Sequence, residues 1–441
     1  MAERFNCPRG TRDLFDCDVS VFQDIETICR SVFLHYGYQE IRTPIFESRE
    51  LFERSVGGET DIVSKELYGF EDSKRKRFAL RPEGTAGAVR AYIERNMAAK
   101  GGVTKLFYIG PMLRHERPQE GRYREFWQIG CELFGAKGIA AEVEMLDLSM
   151  KLLERFSIQA SLKINHLGCA ECREKFKADL VKHFSAEKEK LCDNCKTRLV
   201  KNPLRLLDCK SPICGEIIAT APPMILCSAC SDNFERLQKL LKEFGLDYEI
   251  DKRLVRGLDY YTGLVFEVTS KGLGAQDAVL GGGRYDNLVK ELGGSDVPAI
   301  GFALGMDRAA KLVKFEKEKS SSARPFIYFI GIGARGETEA IRLTGIMRRY
   351  YFEQTHSMST RPEWIESSLN TKSLKAHLRD ADRLESSYVV IVGEDEIAKE
   401  SLIIREMAGG NQIDVPTNLS DSSKIVFDIT SAIRRLIEDR R

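Results

Sequence analysis

The sequence lacks an apolar run long enough to cross a bilayer, which takes about 18 consecutive apolar residues. Its longest apolar stretches, Phe326–Ile332 and Tyr388–Val392, have the length of a β-strand. The N-terminal residues contain no apolar core of the kind that secretory signals carry. An excess of one charge is also lacking, since 67 basic and 66 acidic side chains leave a net charge of +1 at pH 7. We therefore expect a cytosolic protein in which any contact with nucleic acid depends on local basic patches.

Internal repeats are also absent, and the composition, with 43% hydrophobic and 30% charged residues, is that of a folded protein. At about 100–200 residues per domain, the chain contains about two to four domains. Changes of composition divide it into the predicted segments 1–165, 166–250, 251–314, 315–325 and 326–441. The fourth segment is a charged, serine-rich linker.

Hydrophobic periodicity predicts the elements of the first segment. Apolar spacing indicates helices at Ser20–Tyr38 and Glu142–Phe156. Alternating patterns indicate antiparallel strands at Thr104–Leu113 and Phe126–Phe134, joined by the basic loop Arg117–Arg124.

Strand patterns return at Leu254–Thr269 and Ala278–Gly281, and we expect an apolar, glycine-spaced helix at Ile300–Lys314. Beyond the linker, strands and helices alternate, which is typical of a βαβ domain with a parallel sheet. These elements are the strands Phe326–Ile330 and Tyr388–Gly393 and the helices Glu337–Tyr351 and Ser373–Leu384.

Cysteine is concentrated in the second segment. Eight of the twelve cysteines lie there: Cys169, Cys172, Cys192, Cys195, Cys209, Cys214, Cys227 and Cys230. In a cytosolic chain, clustered CxxC pairs favour a metal over disulfides, and two such pairs complete a tetrahedral zinc site. The eight would hold two zinc ions, or one with spare thiols. His166 and His183 are candidate substitute ligands, although surface histidines are the simpler interpretation. A metal-free insertion and a rubredoxin-like iron site are alternatives.

The first chemical signal is a strand that ends in Arg114, followed by the basic loop and a second strand with Phe126, Gln128 and Glu132. The two-residue period of a strand places the last three on one face. An arginine beside an aromatic ring suits a nucleotide, because the guanidinium pairs with phosphate and the ring stacks on a base. A charged hairpin on a solvated sheet would show the same pattern.

Three further motifs are Leu254–Tyr261 (LVRGLDYY), Gly281–Asp286 (GGGRYD) and Gly301–Arg308 (GFALGMDR). The first combines an arginine, an aspartate and two tyrosines, which is more than a generic strand requires. The glycines of the second leave room for a ligand to approach the backbone, although a hairpin turn would also use them.

Together these motifs resemble class II aminoacyl-tRNA synthetases. The strand–loop–strand unit around Arg114 and Phe126 resembles motif 2, and Gly301–Arg308 resembles motif 3. The segment Ser31–Glu47, with Pro44, resembles motif 1, which forms the dimer interface of that class. LVRGLDYY and GGGRYD are similar to the two signatures of histidyl-tRNA synthetases, and Leu80–Thr85 (LRPEGT) is similar to their amino-acid-binding strand.

The resemblance implies an α+β catalytic core, an antiparallel sheet with flanking helices, formed by residues 1–165 and 251–314. It places a cysteine-rich, mostly helical insertion at 166–250 and a C-terminal α/β anticodon-binding domain at 326–441. The implied activity is ATP-dependent activation of L-histidine to histidyl-adenylate and its transfer to tRNA(His), with release of AMP and diphosphate. The enzyme would be a homodimer that uses Mg²⁺ with ATP. Any zinc in the insertion would be structural.

The resemblance also assigns roles to individual residues. The histidine-binding residues would be Glu83, Thr85, Arg114, Gln128, Glu132, Arg256, Tyr260 and Tyr261. The first two would hold the α-amino group, and the two tyrosines would contact the imidazole. The ATP-binding residues would be Arg114, Glu116, Arg122, Phe126 and Arg308. Phe126 would stack on adenine, Glu116 would contact the adenine edge, and Arg122 and Arg308 would bind the outer phosphates.

Arg114, Arg256 and Arg308 are the predicted catalytic residues. Arg256 would stabilise the charge that grows on the α-phosphate as the histidine carboxylate attacks it. In this family the equivalent arginine stands where other class II enzymes use a metal. The tRNA would lie along the loop Arg117–Arg124, the insertion and the C-terminal domain, because proteins read unpaired RNA ends and loops best.

Other interpretations cover parts of these signals. Gly331–Gly336 fits the dinucleotide signature G-x-G-x-x-G, but no acidic residue follows where that fold needs it, so a tight βα turn explains the motif better. A catalytically inactive paralogue, such as the regulatory subunit of ATP phosphoribosyltransferase, is similar to the core but typically lacks the C-terminal domain. A zinc-dependent nucleic-acid-binding module would explain the cysteines but not Arg114, Arg256 and Arg308.

Overall fold

The computed structural model describes residues 5–57, 60, 62–118, 121–209, 211–273, 277–313, 325–354, 364–368 and 370–438. The chain divides near residue 315 into two compact units. The predicted linker 315–325 lies outside the described residues except for Pro325. Among the described residues, no helix is both long enough and apolar enough to cross a membrane.

The first unit contains both strands and helices. The strands are β1 (Gln39–Glu40), β2 (Phe46–Ser48), β3 (Gly69–Glu71), β4 (Arg77–Leu80), β5 (Thr104–Leu113), β6 (Glu125–Phe134), β7 (Ser161–His166), β8 (Glu249–Ile250), β9 (Thr262–Thr269), β10 (Ala278–Arg284) and β11 (Ala299–Gly305). The helices are α1 (Cys17–His35), α2 (Arg49–Val56), α3 (Thr85–Glu94), α4 (Ile139–Arg155), α5 (Ala170–Ser185), α6 (Asp193–Lys201), α7 (Pro212–Ala219), α8 (Ser228–Glu243), α9 (Leu288–Glu291) and α10 (Met306–Leu312).

The main sheet of this unit has the strand order β1-β5-β6-β11-β10-β9-β7-β8. Its central pairs are antiparallel, and only the short strands β1 and β8 pair in parallel with their neighbours. A small antiparallel sheet, β2-β4-β3, accompanies it. This is the predicted antiparallel sheet with flanking helices.

Helix α1 shows why the sheet is covered on one side. It buries Phe22, Ile25, Cys29 and the pair Val32–Phe33 on one stripe, as the 3.6-residue period of an amphipathic helix requires. The same apolar core contains residues of α4 and of the central strands. Burial of these side chains stabilises the sheet by about 25 cal/mol for each Å² of apolar surface removed from water.

The strands β5 and β6 confirm the prediction for the region around Arg114. Strand β5 has the predicted bounds, and β6 begins one residue earlier than predicted. Another prediction needs correction. The expected strand at Leu254–Thr269 begins only at Thr262.

The predicted helix at Ile300–Lys314 is wrong in its first half. Residues Ala299–Gly305 form strand β11, and the helix begins at Met306. Ile300, Phe302 and Leu304 are buried at a spacing of two, which is the period of a strand. Glycine between them disfavours a helix by about 1 kcal/mol per residue relative to alanine.

The insertion between β7 and β8 is mostly helical, as predicted, and contains α5, α6, α7 and α8. It has a small core of its own. The core is formed by Phe176, Leu180, Phe184, Leu191, Cys195, Leu199, Leu206, Cys214 and Ile218.

The second unit contains the strands β12 (Pro325–Gly331), β13 (Trp364–Ser367), β14 (Tyr388–Val392), β15 (Ser401–Glu406) and β16 (Gln412–Pro416). Its helices are α11 (Gly333–Gln354), α12 (Leu374–Arg383), α13 (Glu394–Ala398) and α14 (Ser422–Glu438). The sheet order is β13-β12-β14-β15-β16.

The sheet of the second unit is mixed, which corrects the prediction of a parallel sheet. Strand β12 pairs in parallel with β13 and β14, but β15 and β16 are antiparallel. Only residues 393–400 separate β14 from β15, and a parallel return needs a crossover of about a dozen residues or more. Gly331 and Gly336 pack backbone against backbone, where a Cβ would overlap Gly336 and Val392. The predicted tight βα turn accounts for this motif.

Candidate active site

The central strands of the main sheet present one face on which glycine is frequent. The pairing of β5, β6, β11 and β10 aligns these residues across the sheet. They are Gly110, Gly130, Gly281, Gly283, Gly301 and Gly305. By the same register Phe126, Gln128 and Glu132 lie on this face, as predicted. This glycine face is a floor that leaves space for side chains from neighbouring segments and for a ligand.

Glu132 lies on the glycine face and is 1% exposed. Its carboxylate accepts hydrogen bonds from the hydroxyl groups of Thr85 (2.7 Å), Tyr108 (3.3 Å) and Tyr285. Burial raises the pKa of the Glu132 carboxyl to about 8, although these hydrogen bonds favour its charged form. A Cβ at Gly301 would overlap the carboxylate, so glycine is required beside it.

Glu83 connects the segment LRPEGT to the start of α3. Its carboxylate accepts hydrogen bonds from the backbone N–H groups of Thr85 (2.6 Å) and Ala86 (2.9 Å), and thereby satisfies the first turn of the helix. Burial raises the pKa of Glu83, opposed by these hydrogen bonds. The side-chain oxygen of Gln128 accepts a hydrogen bond from the N–H of Gly84 at 3.2 Å. The segment is therefore tied to strand β6.

Tyr260 and Tyr261 form an aromatic wall beside Glu132. Both are buried, and their ring centroids are 4.7 Å apart. The ring of Tyr260 meets that of Tyr285 at 5.5 Å. A Cβ at Gly283 would press on the ring of Tyr261. The predicted histidine-binding tyrosines therefore lie against the glycine face.

Arg256 lies over the same floor. A Cβ at Gly281 would overlap its guanidinium group. Its Nη1 atom donates to Oε2 of Glu267 at 2.6 Å, and Glu267 is paired with Gly281 across the sheet. Sequence reasoning missed Glu267. The available signal was a single carboxylate within the otherwise apolar run Leu264–Val268.

The predicted ATP-binding residues lie together where strand β5 ends and strand β6 begins. The guanidinium of Arg114 lies 5.2 Å from the ring centroid of Phe126, and Arg122 is 3.5 Å from the Glu116 carboxylate. Arg308 donates to the carbonyl of Ala278 at 2.5 Å. Burial lowers the pKa of Arg308, and the positive charges of Arg122 and Arg114 lower it further. Three guanidinium groups that repel one another form a site for a multiply charged anion.

Asp307 docks helix α10 and so positions Arg308. Its carboxylate accepts hydrogen bonds from the backbone N–H of Trp127 (2.8 Å) and from Nη2 of Arg12 (3.0 Å). Arg12 also lies 4.5 Å from the ring centroid of Tyr123. Asp307 lies within the motif GFALGMDR, but the sequence did not predict its positioning role.

The residues of the GGGRYD motif lie on both faces of the sheet, and Arg284 lies on the face opposite the glycine face. It is 5% exposed and donates to Glu142 at 2.8 Å and to the carbonyl of Ala136 at 2.9 Å. This buried pair holds α4 against the sheet. Gly281, Gly283 and Tyr285 face the candidate site, so a hairpin turn does not explain the motif.

The eight clustered cysteines form two sets of four. The outer set is Cys169, Cys172, Cys227 and Cys230, and the inner set is Cys192, Cys195, Cys209 and Cys214. Within each set the sulfur atoms lie within 4.8 Å of one another, close enough for one metal ion. The candidate substitute ligands belong to neither set.

The two candidate histidine ligands have other contacts. His166 is buried, not a surface residue, and its Nδ1 accepts a hydrogen bond from the N–H of Gly168 at 3.0 Å. Burial lowers the pKa of His166 to about 4. His183 contacts the hydroxyl of Thr220 at 2.9 Å.

Comparison with known proteins supports the same fold. A family model described as "Histidyl-tRNA synthetase" matches residues 10–183 and 219–309, and one described as "Anticodon binding domain" matches residues 360–419. The chain is 41% identical over 426 residues to a histidine--tRNA ligase of Desulfitobacterium hafniense, covering 95% of this chain and 97% of that one. It is 42% identical over 418 residues to that of Thermodesulfovibrio yellowstonii, covering 94% and 97%.

A solved structure is similar over the same length. The crystal structure of apo S. aureus histidyl-tRNA synthetase matches with a TM-score of 0.75 at 29% identity, covering 94% of this chain and 97% of that one. An antiparallel sheet with an arginine cluster on one face, together with a segment that matches an anticodon-binding domain, defines a class II aminoacyl-tRNA synthetase. The chain belongs to the histidyl-tRNA synthetase family. The matched family model leaves out residues 184–218, which contain the inner cysteine set.

Proposed function

We propose that this chain activates L-histidine with ATP to form histidyl-adenylate and transfers the histidyl group to tRNA(His), releasing AMP and diphosphate. One observation carries the proposal. On the glycine face lie the buried Glu132, which accepts hydrogen bonds from hydroxyl groups, and Arg256. The cluster of Arg114, Arg122 and Arg308 lies beside them. Relatives that match over most of their length are named histidine--tRNA ligases.

The proposed first step is an in-line displacement. A carboxylate oxygen of histidine bonds to the α-phosphorus of ATP, and the bond from that phosphorus to the diphosphate oxygen breaks. An α-carboxyl has a pKa of about 3.5, so no general base is needed. Negative charge grows on the non-bridging oxygens, where Arg256 and Arg114 would stabilise it. Arg122 and Arg308 would bind the outer phosphates.

Mg²⁺ fits this chemistry as the companion of ATP, since it prefers phosphate oxygens and water as ligands. When bound, it neutralises part of the charge of the outer phosphates. In the second step a ribose hydroxyl at the end of the tRNA attacks the carbonyl carbon of the adenylate, and AMP leaves. We assign no side chain as the base for that step.

Selectivity for histidine would come from polar groups that pair with the imidazole and the α-amino group. Glu83, Thr85, Gln128 and Glu132 supply acceptors around one small space, and Tyr260 and Tyr261 cover it. A pocket that must hydrogen-bond its ligand rejects apolar isosteres by about 10⁴-fold or more, because its own polar groups would be left unpaired.

The proposal extends to the assembly and its surroundings. The enzyme would be a cytoplasmic homodimer formed through Ser31–Glu47. The tRNA would contact the loop Arg117–Arg124, the insertion and the C-terminal domain. Zinc in the insertion would be structural, since its cysteines belong to the helical insertion and not to the glycine face.

The inactive regulatory paralogue is less well supported. Such a protein has no need for Arg114, Arg256 and Arg308 around one floor, and residues 360–419 match an anticodon-binding domain that it typically lacks.

The decisive experiment is histidine-dependent exchange of labelled pyrophosphate into ATP, with other amino acids as controls. We expect exchange with histidine and not with the other amino acids, because only the imidazole pairs with the polar groups of the pocket. Absence of exchange in folded, metal-replete protein would favour the regulatory paralogue.

A further inference from the structure

The two cysteine sets have the spacing of metal ligands. The Sγ atoms of Cys169 and Cys172 are 3.6 Å apart, and those of Cys192 and Cys209 are 3.9 Å apart. Zinc–sulfur bonds of about 2.3 Å in a tetrahedron place sulfur atoms about 3.8 Å apart. A disulfide would require about 2.05 Å. The sulfur atoms are therefore arranged around a central point and are not bonded in pairs.

The backbone around the cysteines also favours thiolates. The N–H of Cys227 donates to the sulfur of Cys172, and the N–H of Cys192 donates to that of Cys214, both at 3.2 Å. Helices α5, α6 and α8 each begin directly after a cysteine: Cys169, Cys192 and Cys227. N–H groups and helix N-termini both stabilise the negative sulfur that a metal requires.

We propose that each set binds one Zn²⁺ and that the two ions hold the insertion as a clamp on the loop 254–261, which carries Arg256. This inference rests on the proposed function only for the consequence of the clamp. The metal sites themselves follow from the cysteine geometry.

The residues that contact the loop 254–261 most directly lie within the inner set. Asn202 and Arg205 lie between its first and second cysteine pairs. The Arg205 side chain donates to Asp259 at 2.9 Å and to the carbonyl of Gly257 at 2.6 Å. Asn202 donates to the same Asp259 oxygen at 2.8 Å. Arg205 is 8% exposed, whereas the side chain of its partner Asp259 is 31% exposed, so only the arginine side of this contact is shielded from water. Gly257 directly follows Arg256.

The outer set fixes the other end of the loop. Arg173, next to Cys172 in the first turn of α5, donates to the carbonyl of Tyr261 at 3.0 Å. The backbone of the segment before Cys169 pairs with Gly263 in both directions. The outer set also joins the first and last helices of the insertion at their starts.

The inner set also belongs to the core of the insertion. The core cluster contains Cys195 and Cys214 together with seven large apolar side chains, so the free energy of binding a metal to these cysteines would add directly to the stability of the insertion. Loss of the inner ion would release Asn202 and Arg205, and the loop would no longer hold Arg256 in place. Misplacement by about 1 Å can cost about 100-fold in rate.

Metal content tests the first half of the proposal. We expect two zinc ions per chain by elemental mass spectrometry, or on titration of chelated protein with zinc alone. Cys227→Ser and Cys195→Ser should each lose one ion, and the double variant both, whereas the exposed control Cys7→Ser keeps two. One ion per chain, no binding after zinc titration, or iron in place of zinc would overturn the assignment.

Kinetics of histidine-dependent exchange test the clamp. Arg205→Ala should lower kcat about 10- to 100-fold while both zinc ions and the melting temperature stay unchanged. Arg205→Lys should recover part of the loss, because lysine can reach Asp259 but not Gly257 at the same time. Cys195→Ser should show the same loss of kcat as Arg205→Ala.

A role confined to folding would instead lower the melting temperature and leave kcat per folded molecule unchanged, and that result would overturn the clamp. Wild-type kcat in both Arg205→Ala and Cys195→Ser would also overturn it. If the parent protein itself shows no exchange, the proposed function fails, while the zinc count still decides the metal sites.

Discussion

At the scale of single residues, the candidate site depends on ionisable side chains that are held among hydrogen-bonding partners. Glu132 is enclosed by three hydroxyl groups, and Arg256 pairs with Glu267 above a glycine floor. A buried charge without such partners would cost several kcal/mol. These hydrogen bonds hold the polar side chains of the site in place.

Arg256 provides the sharpest test of the proposed chemistry. Arg256→Ala should abolish histidine-dependent pyrophosphate exchange while the circular dichroism spectrum stays that of the folded parent. Arg256→Lys should also lose most activity, because an ammonium does not reproduce the planar guanidinium fork. The exposed Arg253→Ala is the matched control and should stay active. Adenylate formation by Arg256→Ala would rule out the assigned role.

Glu132 should make stability depend on pH. Its folded-state pKa of about 8 lies above the unfolded value of about 4.3. Between those values the unfolded chain releases the proton that the folded chain retains, so this group's contribution to stability is present at low pH and is lost as pH rises through 8. Glu132→Gln has no carboxyl group to titrate, so the variant should not lose stability in this way as pH rises.

The measurement is urea unfolding of parent and Glu132→Gln at pH 5.5, 7 and 8.5. The free energy of unfolding of the variant minus that of the parent should increase with pH over this range. A difference that does not vary with pH would mean that the folded-state pKa is not raised.

At the scale of elements, short contacts between strands and helices place the functional side chains. Strand β11 supplies Gly301 beside Glu132 and leads directly into α10, whose Asp307 docks on β6. The turn from strand to helix thereby presents Arg308 to the arginine cluster. The apolar pattern of Ile300–Leu312 did not reveal this turn, because a short buried strand and a buried helix look alike by hydrophobicity.

Asp307→Ala should therefore weaken ATP binding. Loss of both acceptor oxygens undocks the start of α10 and shifts Arg308. We expect KM for ATP to rise about 10-fold, in line with about 1.4 kcal/mol of lost binding, with a smaller change in KM for histidine. Asp307→Asn, which retains one acceptor for the N–H of Trp127, is the control and should lie in between. Equal increases in both KM values would argue against this local role.

At the scale of the whole molecule, the chain combines a catalytic unit, an insertion and a second unit with a mixed sheet. The segment resembling motif 1 leaves the large apolar side chains Leu34, Ile45 and Phe46 exposed. Apolar groups gathered on one segment are typical of a protein–protein interface. This supports the proposed dimer.

Sedimentation should give a mass about twice the 49.9 kDa of one chain. Ile45→Asp should shift the protein toward the monomer, since a carboxylate would be buried without a partner at the interface. Ile341→Asp, which places the same charge at an exposed apolar position of α11, should leave the mass unchanged. A parent protein that sediments as a monomer would contradict the proposal.

The sequence by itself determined the features that depend on local order. The sequence predicted strand β5 with the bounds that it has in the structure. It also placed Phe126, Gln128 and Glu132 on one face, because the side chains of a strand alternate whatever surrounds it. The motifs around Arg114, Arg256 and Arg308 likewise identified the family, since each is contiguous in the chain.

Only the tertiary structure decided which distant residues meet. The division of eight cysteines into an outer and an inner set, the pairing of Arg256 with Glu267 and the contact of Arg205 with Asp259 cannot be read from spacing. Such contacts close long loops, and many alternative closures differ little in entropy. Packing of the insertion against the catalytic loop selects among them, so the arrangement exists only in the folded chain.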